Sequence, residues 1–107
     1  MTYSEMHNPP HPGEVLKGLY LQPANITQTR LAEWVKVDRK TISRLVNGRH
    51  GVTAEMDLRL SKALNMSPGV WLGMQLDYDL WHAQKSQKVA LRNIKPMLSD
   101  DSAQPLT

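Results

Sequence analysis

The 107-residue sequence contains no cysteine and no phenylalanine. Without cysteine, the chain can form no disulfide and has no thiolate, so we expect it in the reducing cytoplasm. Without phenylalanine, leucine, methionine and tryptophan must fill the core. No apolar run approaches the roughly 18 residues of a membrane span, and the N-terminus lacks the basic and apolar regions of a signal peptide. We therefore expect a cytoplasmic protein that makes no membrane contact.

The sequence also lacks the motifs of common enzymes. It has no Walker, dinucleotide-binding, GxSxG or HExxH pattern. His7 and His11 are four positions apart, but the two prolines between them exclude the helix on which such a pair could bind a metal. Asp77 and Asp79 do not share a helix face and make a poor acid–base pair. We therefore predict no enzymatic activity, no metal site and no cofactor.

Nearly every local signal in the sequence is helical, and no segment alternates convincingly with a period of two. Five helices are predicted from capping residues and first-turn prolines, and Pro23 and the Asn47–Gly48 pair are stop signals. These features predict an all-α, compact five-helix domain over residues 9–84. We expect a flexible N-terminus over 1–8, and over 85–107 an arm or short helix with a disordered tail. Pro12 is predicted to be in the first turn of the first helix, and Pro68 opens the fifth. The caps of the second to fifth helices are Thr27, Asp38, Thr53 and Ser67.

Positive charge is concentrated in the middle of the chain. The whole chain has a net charge of +3. Residues 27–50 contain six basic and two acidic residues, a net charge of +4, whereas residues 51–83 carry a net charge of −2. Such a concentration is typical of a surface that contacts a polyanion.

The segment DRKTISRLVNG, residues 38–48, divides into two faces when it is placed on a helix at about 100° per residue. One face is apolar, with Ile42, Leu45 and Val46. The opposite face is cationic and hydrogen-bonding. Apart from the capping Asp38 it has no acidic residue, whereas a generic solvated face usually mixes both signs. The polar face contains Lys40, Arg44 and Asn47, flanked by Thr41 and Ser43, with Arg39 near its boundary.

The preceding segment supplies a second helix at a short distance. Leu31 and Val35 form an apolar stripe, and Ala32 is small enough for two helices to cross closely. Only two residues separate Val35 from Asp38. This spacing predicts a helix-turn-helix unit, whose second helix enters the DNA major groove. Arg, Lys, Asn, Ser and Thr are the residue types that hydrogen-bond to base edges there.

The segment TQTRLAEWVKVDRKTISRLVNGRH resembles the lambda-repressor-like, or Xre-type, helix-turn-helix family. Three further segments, HPGEVLKGLYLQP, VTAEMDLRLSKALNMSP and VWLGMQLDYDLW, are similar to those of HigA antitoxins, also called VapI-like antidote proteins. The resemblance covers roughly residues 9–84. It implies a five-helix lambda-repressor-like fold, a homodimer, binding to an inverted-repeat operator in double-stranded DNA, and neutralisation of an RNA-cleaving HigB-type toxin.

The resemblance also implies DNA-binding roles for individual residues. Gln28 matches a phosphate contact at the start of the second helix. Lys36 stands where the family usually has glycine in the turn, so we expect a left-handed residue there at a cost of roughly 1 kcal/mol. The remaining matches are Arg39, Lys40 and Arg44 for bases or phosphates, Thr41 and Ser43 for secondary polar contacts, and Asn47 and Arg49 for the DNA backbone.

The fifth predicted helix is apolar on two sides. Such a helix is buried on both sides, either wholly within the domain core or with one side at a subunit interface. One broad face, assigned as the candidate dimer interface, contains Val70, Trp71, Met74, Tyr78 and Trp81. The other contains Leu72, Leu76, Leu80 and Ala83.

Two alternatives to an antitoxin remain open from the sequence. The chain could be a solitary Xre-type repressor without a toxin partner, and the resemblance does not distinguish these two functions. It could also be a protein-interaction module that has lost DNA binding. The cationic face of residues 38–48 favours retained DNA binding over that second alternative.

Overall fold

The computed structural model describes residues 8–98, in which every regular element is a helix and no strand occurs. The predictions for residues 1–7 and 99–107 lie outside the described residues. The predicted all-α helix-turn-helix fold is confirmed. The helices are α1 (Pro12–Val15), continued by a π-helical segment (Leu16–Leu21), then α2 (Gln28–Val35), α3 (Arg39–Val46), α4 (Ala54–Ala63), α5 (Val70–Ser86) and α6 (Lys88–Arg92).

Two of the predicted helix caps are confirmed by side-chain hydrogen bonds. Oγ1 of Thr27 accepts from the backbone N–H of Arg30, and Oγ1 of Thr53 accepts from that of Met56, both at 3.1 Å. Each bond satisfies one of the unpaired N–H groups of a helix N-terminus. Asp38 has the extended backbone of a cap before α3, but its side chain makes no capping hydrogen bond.

The first helix differs from the expected regular α-helix. In a regular α-helix, Leu19 would share a buried apolar stripe with Val15 and Leu16. It is instead 69% exposed, whereas Leu16 and Leu21 are buried. The reason is the π-helical segment, in which hydrogen bonds join residues five positions apart, as from the N–H of Gln22 to the carbonyl of Lys17. The wider turn aligns Leu16 with Leu21 and rotates Leu19 towards solvent.

The core is assembled around α3. Ile42 and Leu45 are fully buried, together with Leu60 of α4 and Trp71 of α5. At the start of α1, a Cβ atom on Gly13 would overlap the carbonyl oxygen of Leu45. Glycine therefore lets α1 pack directly against the C-terminal end of α3.

The start of α5 was predicted wrongly at Ser67 and Pro68. The helix begins at Val70, after Gly69 in a left-handed conformation with φ of 101°. Its first N–H groups are satisfied by Asp57 of α4, because Oδ1 accepts from Gly69 and Oδ2 from Leu72, each at 2.8 Å. The Asp57 carboxylate is almost fully buried and is stabilised by these charge-assisted hydrogen bonds at a helix N-terminus.

The assignment of Trp71 to a subunit interface is also wrong. Trp71 is fully buried within the domain core and packs edge-on against Tyr20, with the ring centroids 5.5 Å apart. It is therefore inaccessible to a second subunit. The exposed apolar residues of α5 instead include Leu72 and Leu76, from the other predicted face. Of the remaining assigned residues, Val70 is exposed and Met74, Tyr78 and Trp81 are half-buried.

Within residues 8–98, none of the helices combines the length and apolarity that crossing a bilayer requires.

Candidate nucleic-acid interface

The predicted DNA-binding helix, α3, packs against α2 through its apolar face. Ile42, Leu45 and Val46 of α3 are buried in the same core as Leu31 and Val35 of α2. This packing turns the polar face of α3 outwards. Lys40, Arg44 and Asn47 are all exposed, and Thr41 and Ser43 at its flanks are half-buried.

The turn between α2 and α3 is formed by Lys36 in the left-handed conformation, with φ of 63° and ψ of 48°. The expected conformation is therefore confirmed. Arg59 of α4 supports the turn, because its Nη1 donates to the carbonyl oxygens of Val35 at 2.6 Å and Lys36 at 3.5 Å. Nε of Arg59 is in turn bonded to Glu55 at 3.1 Å. The turn thus has a support on α4 that the local sequence does not indicate.

Arg39, the first residue of α3, is held by α2. Its Nε donates a hydrogen bond of 3.1 Å to Oγ1 of Thr29, and both side chains are exposed. Thr29 follows Gln28, which the structure places half-buried at the first position of α2. The predicted contacts Gln28 and Arg39 are therefore brought to the same end of the two-helix unit, and Thr29 joins them there.

The helix α3 is ended by a glycine in the left-handed conformation. Gly48 has φ of 70°, and its N–H donates to the carbonyl of Leu45 at 3.0 Å. The N–H of Arg49 donates to the carbonyl of Arg44 at 2.7 Å. These two bonds form a Schellman motif, which ends the helix and places Arg49 in the exposed loop that follows. Nδ2 of Asn47 reaches Oγ of Ser43 at 3.4 Å.

The loop after α3 is fixed by two side chains whose roles the sequence did not indicate. The ring nitrogens of His50 lie 3.1 Å from the carbonyl oxygen of Thr41 and 3.0 Å from that of Gly51. Oε1 of Gln75 accepts from the N–H of Val52 at 2.9 Å. A Cβ atom on Gly51 would lie within 2.7 Å of the Gln75 side chain. The loop is therefore packed directly onto α5.

His11 supports the same end of α3 from α1. Nδ1 of His11 accepts from the N–H of Gly13 at 2.9 Å, and its ring packs edge-on against Tyr78 with centroids 5.0 Å apart. Burial lowers the pKa of His11, and the nearby carboxylates of Asp79 and Glu14 oppose this shift only in part. His11 therefore acts as a neutral, hydrogen-bonded capping residue, a role that the sequence did not indicate.

The geometry brings all nine predicted DNA-binding residues onto α2, α3 and the turns beside them. It adds Thr29, Arg59 and His50 as residues that hold this surface in place. Their local sequences carry no signal for those roles, because each contacts an element distant in the chain. Among residues 8–98, no cluster of three or more histidine and acidic side chains is arranged to hold a metal ion.

Comparison with known proteins agrees with this geometry. A family model described as helix-turn-helix matches residues 19–71. Antitoxin HigA-1 of Vibrio cholerae is 40% identical over 86 residues, which cover 79% of this chain and 80% of the relative. The chain belongs to the HigA-like group of the Xre-type helix-turn-helix family.

Solved structures of similar HigA-like proteins share the fold. The structure of the Pseudomonas aeruginosa antitoxin HigA with the higBA promoter has a TM-score of 0.80 at 31% identity, and the match covers 84% of this chain and 99% of that one. Antitoxin GraA in complex with its operator has a TM-score of 0.81 at 29% identity, covering 88% and 95%. The HigA-like family consists of DNA-binding regulators and antitoxins and is not a family of enzymes.

Proposed function

We propose that this chain is the antitoxin of a type II toxin–antitoxin module, which represses its own operon and neutralises an RNA-cleaving HigB-type toxin in the cytoplasm. The observation that carries the proposal is the cationic face of α3, with Lys40, Arg44 and Asn47 exposed on a helix-turn-helix unit. Support comes from similar antitoxins that have been solved with promoter or operator DNA.

In the proposed complex, α3 lies in the major groove of double-stranded DNA. Arg44, in the middle of the exposed face, reads bases, because an arginine can donate two hydrogen bonds to a guanine edge. Arg39 and Lys40 contact bases and phosphates, with Thr41, Ser43 and Asn47 as secondary polar contacts. Gln28, Lys36 and Arg49 contact the DNA backbone, which supplies affinity and orientation without reading the sequence.

The operator is an inverted repeat bound by a homodimer. Two-fold symmetry places the recognition helices of the two subunits about 34–36 Å apart, one turn of DNA. We place the dimer contact on the outer apolar side of α5, which carries the exposed Leu72 and Leu76. Such exposed apolar residues at helical spacing are typical of a subunit interface.

The toxin contact is placed on the α1–α5 side of the protein. A shallow cavity of about 340 Å³ lies there, lined by His11, Glu14, Tyr78 and His82, among others. Glu14 lines this cavity, and Asp79 lies near His11, so two carboxylates are found on this side. These carboxylates can pair with basic residues of a toxin, and a contact here leaves the cationic face of α3 available for DNA.

Fluorescence anisotropy with a duplex from the region upstream of the coding sequence tests DNA binding. The affinity should fall steeply between about 50 and 200 mM salt, because phosphate contacts release counterions. A scrambled duplex is the matched control and should bind more weakly. Absent or salt-independent binding would favour the protein-interaction module instead.

Co-expression with the product of the adjacent reading frame, followed by pull-down and an RNA-cleavage assay, tests the toxin. A stable complex in which RNA cleavage is inhibited supports the antitoxin. Specific operator binding without any such complex would identify a solitary repressor.

A further inference from the structure

A groove between α2 and α4 lies to one side of the predicted DNA-binding surface. The groove has a volume of about 240 Å³ and is lined by Ile26, Arg30, Leu31, Trp34, Ala63 and Leu64. Thr29, which contacts Arg39 of α3, and Trp34 are five positions apart, or about 140° around α2. The groove therefore opens on a different side of α2 from the DNA-binding surface.

A wider depression continues the groove along α4. It has a volume of about 920 Å³, shares Trp34 and Ala63 with the groove, and extends to Leu58 and Met66. Trp34 is 65% exposed and Leu58 is 58% exposed. Large apolar side chains exposed side by side, and tryptophan in particular, are typical of protein-binding surfaces.

The side chains around the groove and the depression are cationic. Both cavities together are lined by Arg30, Lys36, Arg59 and Lys62, and no carboxylate lines either of them. The Arg59 guanidinium is paired with Glu55, whereas Arg30, Lys36 and Lys62 have no carboxylate partner within residues 8–98. The guanidinium carbon of Arg30 lies 5.4 Å from the centre of the Trp34 ring, so a cation stands directly over the exposed apolar surface.

We propose that the groove docks an amphipathic segment of a partner protein that carries carboxylates beside a large apolar side chain. The apolar side chain enters the smaller cavity against Leu31 and Trp34, and the carboxylates pair with Arg30 beside this cavity and with Lys62 of the wider depression. Charge complementarity selects the acidic segment. The aliphatic walls formed by Leu58 and Leu64 suit an apolar side chain better than a base, which would stack on aromatic rings. Apart from Lys36 at the edge of the depression, this surface is separate from the DNA and toxin contacts proposed above.

A pair of synthetic peptides of about 15 residues, long enough to form a helix, tests the proposal. Both carry the same leucines at helical spacing, one with glutamates and the other with lysines at the polar positions. The glutamate peptide is titrated into the isotope-labelled full chain, and the indole N–H signal of Trp34 is followed by NMR. We expect this signal to shift with the glutamate peptide and not with the lysine peptide, and the affinity to fall with rising salt.

Variants of the full chain locate the site. Trp34→Ala, whose binding is measured by isothermal titration calorimetry because it lacks the indole signal, should weaken binding of the glutamate peptide at least about tenfold. Leu19→Ala removes an equally exposed apolar side chain from the π-helical segment and should leave peptide binding unchanged. The double variant Arg30→Glu with Lys62→Glu should lose the glutamate peptide and bind the lysine peptide. Operator binding measured on Trp34→Ala should stay unchanged, which separates this site from the proposed DNA contact.

Several results would overturn the proposal. These are no shift of the Trp34 signal with the glutamate peptide, equal shifts with both peptides, or undiminished binding to Trp34→Ala. A larger Trp34 shift with a single-stranded oligonucleotide would identify a nucleic-acid site instead. Loss of dimer by Trp34→Ala in sedimentation experiments would identify a second copy of the chain as the occupant.

Discussion

Arg39 is bonded to Thr29 across the turn of the helix-turn-helix unit, with Nε of the arginine donating to Oγ1 of the threonine at 3.1 Å. An exposed arginine loses much rotamer freedom when it binds a partner. The bond to Thr29 restricts that freedom before DNA arrives. Thr29 therefore acts as a positioning residue for Arg39 in the proposed DNA complex.

Replacing Thr29 tests this role. Thr29→Val removes the hydroxyl and keeps the side-chain shape, so we expect operator affinity to fall by about 1 kcal/mol, roughly fivefold. The free energy of unfolding should change little, because both side chains are exposed. Thr29→Ser keeps an acceptor and should bind like the parent chain. Equal operator affinities for the valine and serine variants would contradict the role.

Replacing Arg44 should reduce the preference for operator DNA, whereas replacing Gln28 should reduce the affinity for DNA of any sequence. Arg44→Ala should weaken operator binding by about 1–3 kcal/mol and leave binding to a scrambled duplex less affected. Gln28→Ala should weaken both duplexes alike, because a phosphate contact carries no sequence information. Anisotropy titrations of both variants on both duplexes measure the difference. If Arg44→Ala weakened both duplexes equally, Arg44 would not be the base-reading residue.

The left-handed backbone conformation of Lys36 should lower the free energy of unfolding. Lys36→Gly removes the steric cost of that conformation, about 1 kcal/mol, and regains less than this because glycine also increases the entropy of the unfolded chain. We expect a net increase in the free energy of unfolding, measured by urea denaturation. Lys36→Ala is the control, since alanine also has a Cβ atom and should give no increase. A destabilised glycine variant would show that the lysine side chain contributes more than the strain costs.

His11 should make stability depend on pH. Its pKa in the folded state lies below the ordinary 6.5 because it is buried. Between those two values the unfolded chain binds more protons, so the free energy of unfolding should rise with pH in this window and fall as the pH drops through it. His11→Asn keeps a capping acceptor and cannot titrate.

Urea denaturation at about pH 7.5 and about pH 5.5 measures this linkage. The parent chain should lose more stability on acidification than His11→Asn, and the other histidines titrate in both proteins. Equal losses would show that His11 is not the linked group.

The sequence predicted the local features of the DNA-binding unit well. Helical periodicity alone separated the buried Ile42 from the exposed Arg44 on α3. The two-residue linker predicted a sharp reversal, and Lys36 has the left-handed conformation that this requires. Gly48 ends α3 as expected. These features depend on residues within about one helical turn of each other, where periodicity and capping rules apply.

The errors arose where the structure departs from the local rules of helix starts and helical period. Ser67 and Pro68 resemble a helix start, but the carboxylate of Asp57 satisfies the N–H groups of α5 and moves that start to Val70. Leu19 fits a regular helical stripe, but a π-helical segment turns it outwards. No rule based on a fixed period of 3.6 residues identifies such a segment.

By itself, the sequence determined that the domain within residues 8–98 is built from helices, that α3 has a cationic face, and that this helix follows α2 after a short turn. Only the tertiary structure decided which groups hold that face in place and which apolar surfaces stay exposed. Arg39 is bonded to Thr29, ten positions away, and Arg59 supports a turn 24 positions away. Trp71 lies in the core, whereas Trp34 is exposed. The physical reason is that burial depends on which elements pack together, and that packing is decided by contacts between residues far apart in the chain.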